Sequence, residues 1–589
     1  MMQTEEWPAP ARGWVQSGNL ATAPKDAAEV LDNFFPMSQG VRLRRGKKSF
    51  ADLGGSVKRL MAYSSGADDL LASTDAAIFD ADRVNGDGDN SWAEYEGLGS
   101  GDWSVTQIST SGGNFMIGAN GLDHAFYYDG AAYNPITAET INELTFDAQT
   151  GAFLVGGTVT GGTSGATATI LGITKTSAVT GALKVGAITG IFQDNEALTD
   201  ASTGAATSNI PAGTSVASSV SITGIATAAL SQTWIFKERL FFVEKDSMSV
   251  WYLPVQSIGG AAAEINLGSV FRRGGYILFG ATWSIDSGSG IDDVCIFVTT
   301  NGEVAVYQGV DPSNSSTWAL SGVYDIGAPS DKHAFFKAGG DLAILTKDGI
   351  ISVSEAIGKD RAALQGGAIT YPIEDAWQNA VAQTSAGYPV TATLWQSRTM
   401  LFVGVPTTDG GTNVAYVANS RTGAWCRYTG WDVRCAVVSG DLLYFGSGDG
   451  VVYLAESGGE DAGVSYTALC VPKFSAGGVQ NKFLTRAQVI TRSARKPTVK
   501  VKGLTDYRVP EITPPITTDV FTGSTWGFGV WGTFVWGGES EKSTWAQWKK
   551  VSGKGFALSL AALVTSNNSA AADIEILGFK VRYEAGTVL

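Results

Sequence analysis

The chain has 589 residues, a formal net charge of −15, 44% hydrophobic residues and 74 glycines. It is too long for one ordinary domain and apolar enough for several packed cores. The acidic balance argues against a protein that holds nucleic acid on a broad basic face. The cysteines show no CxxC spacing and are expected to be buried thiols of a chain made in a reducing cytoplasm: Cys295, Cys426, Cys435 and Cys470.

Residues 1–50 are interpreted as an N-terminal arm. Its start is acidic and without an apolar run, so no secretory signal is expected. No stretch reaches the roughly 18 apolar residues of a membrane-spanning helix. The segment "PKDAAEVLDNFF" predicts one short helix, with Asp26 near its start and Pro36 beyond its end. The rest of the arm is expected to be extended and to wrap over another surface.

A basic run, "RLRRGKK", ends this arm. It is compatible with nucleic-acid contact, but a solvated or inter-subunit patch is the favoured interpretation on so acidic a chain. The residues predicted to contact a neighbouring subunit are Arg42, Arg44, Arg45, Lys47 and Lys48.

Segments such as "RLFFVEKDSMSVWYLP" and "VCIFVTTNGEVAVYQG" repeat one plan of apolar strand, polar turn and apolar strand. Asn-Gly and Asp-Gly pairs in three of them are typical of tight hairpin turns. The repeat predicts an all-β fold with a β-propeller of about seven blades over 51–145 and 223–462. Six or eight blades, or an irregular series of hairpins in a sandwich, are the alternatives. The predicted turns fall near Asp75, Asn120, Asp246, Asn301, Asp348, Asp409 and Asp449.

The block 146–222 interrupts this period. The gap from Asn120 to Asp246 is 126 residues, and 49 remain once the block is left out. The block has its own repeat at an offset of 39, in which Phe153 matches Phe192 and Thr160 matches Thr199. Its Thr, Val and Ile residues predict an inserted small β module, a barrel or paired half-barrels, that projects from the propeller. Decoration is favoured over a binding function.

Residues 463–589 again read as strands and predict a C-terminal antiparallel β-sandwich. In the last strand, Ile574, Ile576 and Phe579 are candidate core residues.

Ahead of these strands, "STWGFGVWGTFVWGG" spaces three tryptophans by five residues, which aligns them on one face of neither a strand nor a helix. Trp526, Trp531 and Trp536 are therefore interpreted as structural packing at a subunit or domain contact. A platform for stacking sugars is the alternative.

No catalytic constellation is evident. Neither histidine, His124 nor His333, has a partner in a nucleophile motif, and a zinc site would need more His or Cys at close spacing. A calcium loop is matched only at its start, by Asp87, Asp89 and Ser91. Trp92 replaces its glycine and Leu98 its glutamate. We expect no enzyme and no cofactor, although acids that meet across a propeller face could still serve glycoside hydrolysis.

Three segments resemble a family of bacteriophage structural proteins. They are "AAEVLDNFFPMSQGVRLRRGK" (27–47), "WAQWKKVSGKGFALSL" (545–560) and "IEILGFKVRYEAG" (574–586), together with the Trp-Gly series. The family is that of the packaged-DNA stabilisation proteins, or tail hub and nozzle proteins, of short-tailed phages, and it is remotely similar to tail tubular protein B. The block 146–222 lies outside the resemblance.

The resemblance implies a virion protein of the tail. Such proteins form a homohexameric ring below the portal and adaptor, continue the DNA channel, help retain packaged DNA and carry fibres or a needle. The implied DNA contact is non-specific and transient. A negative lumen would limit adhesion of phosphates during ejection. The alternatives are a tail fibre or host-receptor-binding protein, and a polysaccharide-degrading enzyme on a propeller.

Overall fold

The computed structural model describes residues 2–16, 24–66, 68–84, 93–210, 213–286, 291–314, 316–359, 361–383, 390–405, 413–476, 480–515, 542–567 and 570–586. Nearly all regular structure in these residues is β-strand. Three parts are distinguishable, a propeller, an inserted barrel and a sandwich, so the predicted fold class is confirmed. No described helix is long and apolar enough to span a membrane.

Seven groups of three or four antiparallel strands follow one another along the chain as the blades of the propeller, and blades 1 and 6 also pair with strands outside it. Their strands are Arg59–Ser64, Asp68–Ser73, Ala77–Asp80 and Tyr95–Glu96 (blade 1); Ser104–Thr110, Gly113–Ala119, Phe126–Tyr128 and Tyr133–Pro135 (blade 2); Leu230–Phe236, Arg239–Glu244, Ser249–Tyr252 and Ala263–Asn266 (blade 3); Ile277–Asp286, Ile291–Thr299, Glu303–Gln308 and Ala319–Asp325 (blade 4); Phe335–Ala338, Asp341–Thr346 and Gly349–Ser352 (blade 5); Thr391–Trp395, Met400–Val405, Val414–Asn419 and Ala424–Thr429 (blade 6); and Cys435–Ser439, Leu442–Gly446 and Val451–Leu454 (blade 7).

Turn chemistry explains the regular blades. Six of the seven predicted turn positions lie between the second and third strand of a blade, and the seventh, Asp409, lies outside the described residues. In three of these turns the glycine takes a positive φ that disfavours other residues: +80° at Gly302, +143° at Gly349 and +92° at Gly450. The hairpins are thus set locally.

Hydrophobic cores shared between consecutive blades make the sheets one ring. Met61 of blade 1 packs with Phe126 of blade 2, and the sharing continues around the ring until blade 7 packs on blade 1. The first strands of the blades also bond to each other. The side chain of Gln232 in blade 3 exchanges two hydrogen bonds of 3.0 Å with the backbone of Gly280 in blade 4.

The N-terminal arm closes the ring. Lys48–Asp52 pairs antiparallel with Val451–Leu454 and becomes the fourth strand of blade 7. The propeller is therefore sealed by hydrogen bonds between its earliest and its latest strand, and opening it requires an entire strand pairing to break.

The insertion is a closed six-stranded barrel. The insertion was predicted to begin at residue 146, but its first strand already begins at Ile141. Thr160 and Thr199, matched in the internal repeat, are direct neighbours on paired strands, and Phe153 and Phe192 lie in one core. The barrel joins the outer strand of blade 1 through Thr167–Lys175. Its strands are Ile141–Gly151, Thr158–Gly161, Thr167–Lys175, Gly181–Thr189, Ala197–Thr199 and Ala205–Ser208, and Ser215–Ser218 pairs beside the first.

The C-terminal sandwich has two sheets, and the N-terminal arm contributes strands to both. One sheet, called here the outer sheet, contains Met2–Pro8, Phe34–Met37, Gly40–Leu43, Glu575–Ala585, Lys482–Ser493 and Ser543–Gly555. The other contains Ala28–Asp32, Tyr466–Pro472, Leu558–Ser566 and Lys500–Thr505, and it continues into blade 6. The three predicted core residues of the last strand are buried: Ile574, Ile576 and Phe579.

The helix predicted over "PKDAAEVLDNFF" is wrong, because that segment forms the strands Ala28–Asp32 and Phe34–Met37. A short apolar run fits either period, and pairing with Tyr466–Pro472 decides for strand. Helical segments occur elsewhere, at Ala81–Val84, Thr227–Ala229, Val353–Gly358, Arg361–Leu364, Gln365–Gly367, Tyr371–Ile373, Glu374–Ala382 and Gln396–Arg398. The four cysteines are buried and free, as expected.

A buried arginine joins the arm, the sandwich and the propeller. The guanidinium of Arg44 donates to both carboxylate oxygens of Asp461 at 2.7 and 2.9 Å, and Nε donates to Asn33 Oδ1 at 2.8 Å. It lies 3.9 Å from the ring centroid of Tyr466 and 4.7 Å from that of Trp431. A bidentate, stacked site of this kind suits arginine and not lysine.

We predict that Arg44→Met destabilises the protein by about 3–5 kcal/mol, since it leaves the largely buried Asp461 carboxylate without its cation. Denaturant unfolding of the variant measures the loss. Arg45→Met is the matched control, because Arg45 is exposed and should change stability by less than about 0.5 kcal/mol. Equal small effects in both variants would contradict the structural role of Arg44.

Candidate functional site at the propeller mouth

Charged side chains from opposite sides of the propeller converge at one mouth. Arg59 begins the first strand of blade 1, Asp102 precedes that of blade 2, and Ser231 lies on that of blade 3. The segment Asp331–His333 precedes the first strand of blade 5. This set is called the mouth cluster, and it exists because the blades present corresponding ends of their first strands at the same mouth.

Lys332 is the central contact of the mouth cluster. Its ammonium donates to the backbone oxygen of Asp102 at 2.7 Å and to that of Ser231 at 3.3 Å, and it lies 3.0 Å from Asp102 Oδ2. Asp102 Oδ1 also contacts Arg59 Nε at 3.2 Å and His333 Nε2 at 3.0 Å. Blade 5 is thus tied across the mouth to blades 1, 2 and 3.

The two carboxylates of the mouth cluster have opposite pKa shifts. Burial alone raises the pKa of Asp102, but Arg59 and Lys332 outweigh it and hold that pKa below its usual value. Burial, and then the Asp102 charge, raise the pKa of Asp331, which Arg59 approaches only to 3.9 Å. Asp102 is therefore the anion that the two cations stabilise.

A metal ion fits this arrangement poorly. Ligand atoms of Asp102, Asp331 and His333 lie within 4.8 Å of one another, which is close enough for a shared ion. Arg59 and Lys332 already supply two positive charges to these carboxylates, so a divalent ion would enter against their repulsion. The mouth cluster is better explained as a set of ion pairs and hydrogen bonds that holds blades 1, 2, 3 and 5 together across the propeller.

His124 lies away from this mouth, in a small cleft between the barrel and the propeller. Its Nδ1 is 3.3 Å from Thr227 Oγ1, and burial lowers its pKa. The cleft, which Tyr95, Asp123 and Ile170 also line, has a volume of about 250 Å³. Ligand pockets usually measure about 300–1,000 Å³. This cleft is a weaker candidate than the mouth cluster.

The predicted contact residues of the arm separate into three groups: buried, partly buried and exposed. The prediction of a subunit contact is wrong for Arg44, whose side chain is fully buried within its own chain. Arg42 is half-buried, and its guanidinium lies 3.6 Å from the Glu456 carboxylate. The Lys47 ammonium lies 3.9 Å from the centroid of the Tyr453 ring. Arg45 and Lys48 are exposed, and their contact with a partner stays a prediction.

Two predicted groups lie outside the described residues. They are the calcium candidate of Asp87, Asp89 and Ser91, and the tryptophan series of Trp526, Trp531 and Trp536.

Sequence reasoning placed His333 beside Asp331 and Lys332 but missed Arg59 and Asp102. These two are 43 residues apart, and Asp102 is 230 from Lys332. The repeat contains a signal that could have found them, because Arg59, Asp102 and Asp331–His333 all lie at or just before the first strand of a blade. Alignment of the blades on their first strands would have placed them at one mouth.

No protein-family model and no curated protein matches the chain. Among solved structures, the computationally designed Ika8 protein is 11% identical, with a TM-score of 0.32 over 70% of this chain and 99% of that one. YCF48 from Cyanidioschyzon merolae is 10% identical (TM-score 0.26, 69% and 98%). The Swd1 β-propeller domain of Myceliophteria thermophila is 8% identical (TM-score 0.25, 69% and 98%). Similarity this low carries no inference about function.

We predict that Asp102→Asn lowers the free energy of unfolding at pH 7 by about 1–2 kcal/mol. This is below the roughly 3–5 kcal/mol for breaking a fully buried pair, because 44% of the Asp102 side chain is exposed. The folded-state pKa is depressed, so the stabilisation is present above the ordinary value near 3.9 and is lost as pH falls through the folded-state pKa.

Unfolding of wild type and variant between pH 7 and pH 3 tests this. The difference should shrink as pH falls below about 3.9. Asp75→Asn is the control, since Asp75 forms its ion pair with Lys58 at 67% exposure and should matter little. A difference that does not depend on pH would mean that Asp102 acts through packing and not through its charge.

Proposed function

We propose that this chain is a structural protein of a phage tail, which assembles into a ring below the portal and adaptor and continues the DNA channel. The observation that carries the proposal is the position of the segments that resemble the hub and nozzle family. Residues 27–47 are far in sequence from residues 545–560 and 574–586, yet all three segments build the sandwich and its junction with the propeller.

The residues of the arm motif make specific contacts at that junction. Asn33, at a φ of +59°, donates through Nδ2 to Thr429 Oγ1 and to the backbone oxygen of Thr467, both at 2.8 Å. Arg44 makes the buried pair with Asp461. A Cβ on Gly46 would lie 1.8 Å from the Glu460 carbonyl oxygen, so only glycine fits there. The motif specifies a rigid connection, which suits a part that bears load.

The geometry of the mouth cluster limits how DNA would pass. Contacts of 2.7–3.3 Å tie Lys332 to blades 2 and 3 across the mouth. A duplex would therefore pass along the axis of the assembled ring and not through one propeller. The charge of −15 suits that passage, because an acidic lumen repels phosphates and limits adhesion.

A tail fibre or receptor-binding role is the second candidate, and one observation favours it. The inserted barrel keeps several large apolar side chains exposed, namely Leu154 at 60%, Ile191 at 78% and Val216 at 66%. Exposed apolar residues can mark a contact surface, although single ones are common on proteins.

We predict half as many copies of this chain as of the portal protein in purified particles, because a sixfold ring would follow a twelvefold portal. Quantitative mass spectrometry of one particle digest measures the ratio, with the portal and the major capsid protein as internal standards. A multiple of three well above six would favour the fibre role. Absence from the particle would contradict both candidates.

A further inference from the structure

The outer face of the outer sheet carries an unusual row of cations. On its strands, side chains alternate between the core and solvent, so Ala487 and Val581 point inward. Arg486, Lys550 and Arg582 point outward, and the register places Arg486 opposite Lys550 on one side and opposite Arg582 on the other. These three side chains are called the basic row.

Within the described residues the basic row has no ion pair. Arg486 and Lys550 are exposed, and the Arg582 guanidinium lies 4.6 Å from the Trp548 ring centroid. Other cations of the face do have partners, as Lys580 does in Glu6 at 2.5 Å. Like charges on directly opposed strand positions, about 5 Å apart, destabilise a sheet. The row therefore costs stability in the isolated chain, a cost that an anionic partner would offset.

Blade 1 carries the complementary charge. Among the described residues, five carboxylates lie together at one end of this blade, and Arg83 pairs there with Asp80 at 3.1 Å and with Glu94 at 2.5 Å. Burial raises the pKa of Glu94 to about 7 against the lowering effect of Arg83, and the charges of Asp80 and Asp69 add to the rise. The carboxylates, called the acidic edge, are Asp68, Asp69, Asp80, Asp82 and Glu94.

We propose that the basic row of one copy of this chain docks on the acidic edge of a second copy. The inference rests on the proposed ring and specifies its contact. The two patches differ and belong to different domains, so their pairing is head-to-tail, and such a contact closes into a ring when the rotation between copies permits. The charges fix register and orientation at this contact more than they add affinity.

Duplex DNA is the competing occupant of the basic row. Three cations on a chain of net charge −15 are a small footprint beside the roughly 6–10 phosphate contacts of a typical DNA-binding protein. A second copy instead offers a carboxylate cluster of opposite sign and comparable size.

Charge reversal in the full-length chain tests the contact. Arg486→Glu/Lys550→Glu reverses the basic row, and Asp68→Lys/Asp82→Lys reverses the exposed part of the acidic edge. Each double variant should weaken self-association at least tenfold, and mixing the two should restore it, because each reversed patch then meets a complementary one. Lys337→Glu/Lys347→Glu, on exposed lysines of blade 5, matches the charge change of the first pair and should assemble like wild type.

Mass photometry at low and high ionic strength measures assembly, and circular dichroism reports the fold. If the Arg486→Glu/Lys550→Glu variant does not fold, the neutral variant Arg486→Gln/Lys550→Gln replaces it. The neutral variant should raise the thermal midpoint of unfolding and still weaken assembly.

Rings that survive both reversals would overturn the proposed contact and leave the ring itself intact. The same holds if reversal of the row abolishes only the binding of duplex DNA. A wild-type chain that stays monomeric at every concentration would contradict the ring and the contact together.

Discussion

The buried pair of Arg44 and Asp461 is the interaction on which the arrangement of the domains depends. A guanidinium removed from water must have its donors satisfied, and Asp461, Asn33 and two backbone oxygens do so. Arg44 precedes the strand Lys48–Asp52 by four residues, and that strand closes blade 7. The arm also supplies strands to the sandwich. The contacts of Arg44, called here the joint, therefore fix both the closure of the propeller and the position of the sandwich against it.

Closure of the ring in turn makes the mouth cluster possible. Lys332 reaches Asp102 and Ser231 only if blades 2, 3 and 5 hold fixed positions around one axis. The barrel depends on the same frame, since it extends blade 1 through the pairing of Thr174 with Tyr95. The chain is thus a rigid frame with chemically distinct surfaces at its edges, which is the property that an assembly component needs.

The propeller was predictable from the sequence because its information is local. Hairpin turns such as Asn301-Gly302 need only a positive φ and flanking apolar strands, and their spacing revealed the seven blades once 146–222 was set aside. The arm was not predictable in this way. Its strand Ala28–Asp32 gains its conformation from partners some 400 residues away, and a short apolar run alone does not distinguish helix from strand. The mouth cluster could not be predicted for the same reason, since Asp102 and Lys332 meet only after the ring has closed.

Hydrogen exchange of Arg44→Met against wild type tests the central claim most directly. If Arg44 holds the joint, amides of Lys48–Asp52 and of Val451–Leu454 should exchange faster in the variant, and so should those of Met2–Pro8 in the sandwich. Amides of blade 3, on the other side of the ring, should change least. Unchanged protection at both ends of the joint would contradict the claim that one buried arginine couples propeller closure to the sandwich.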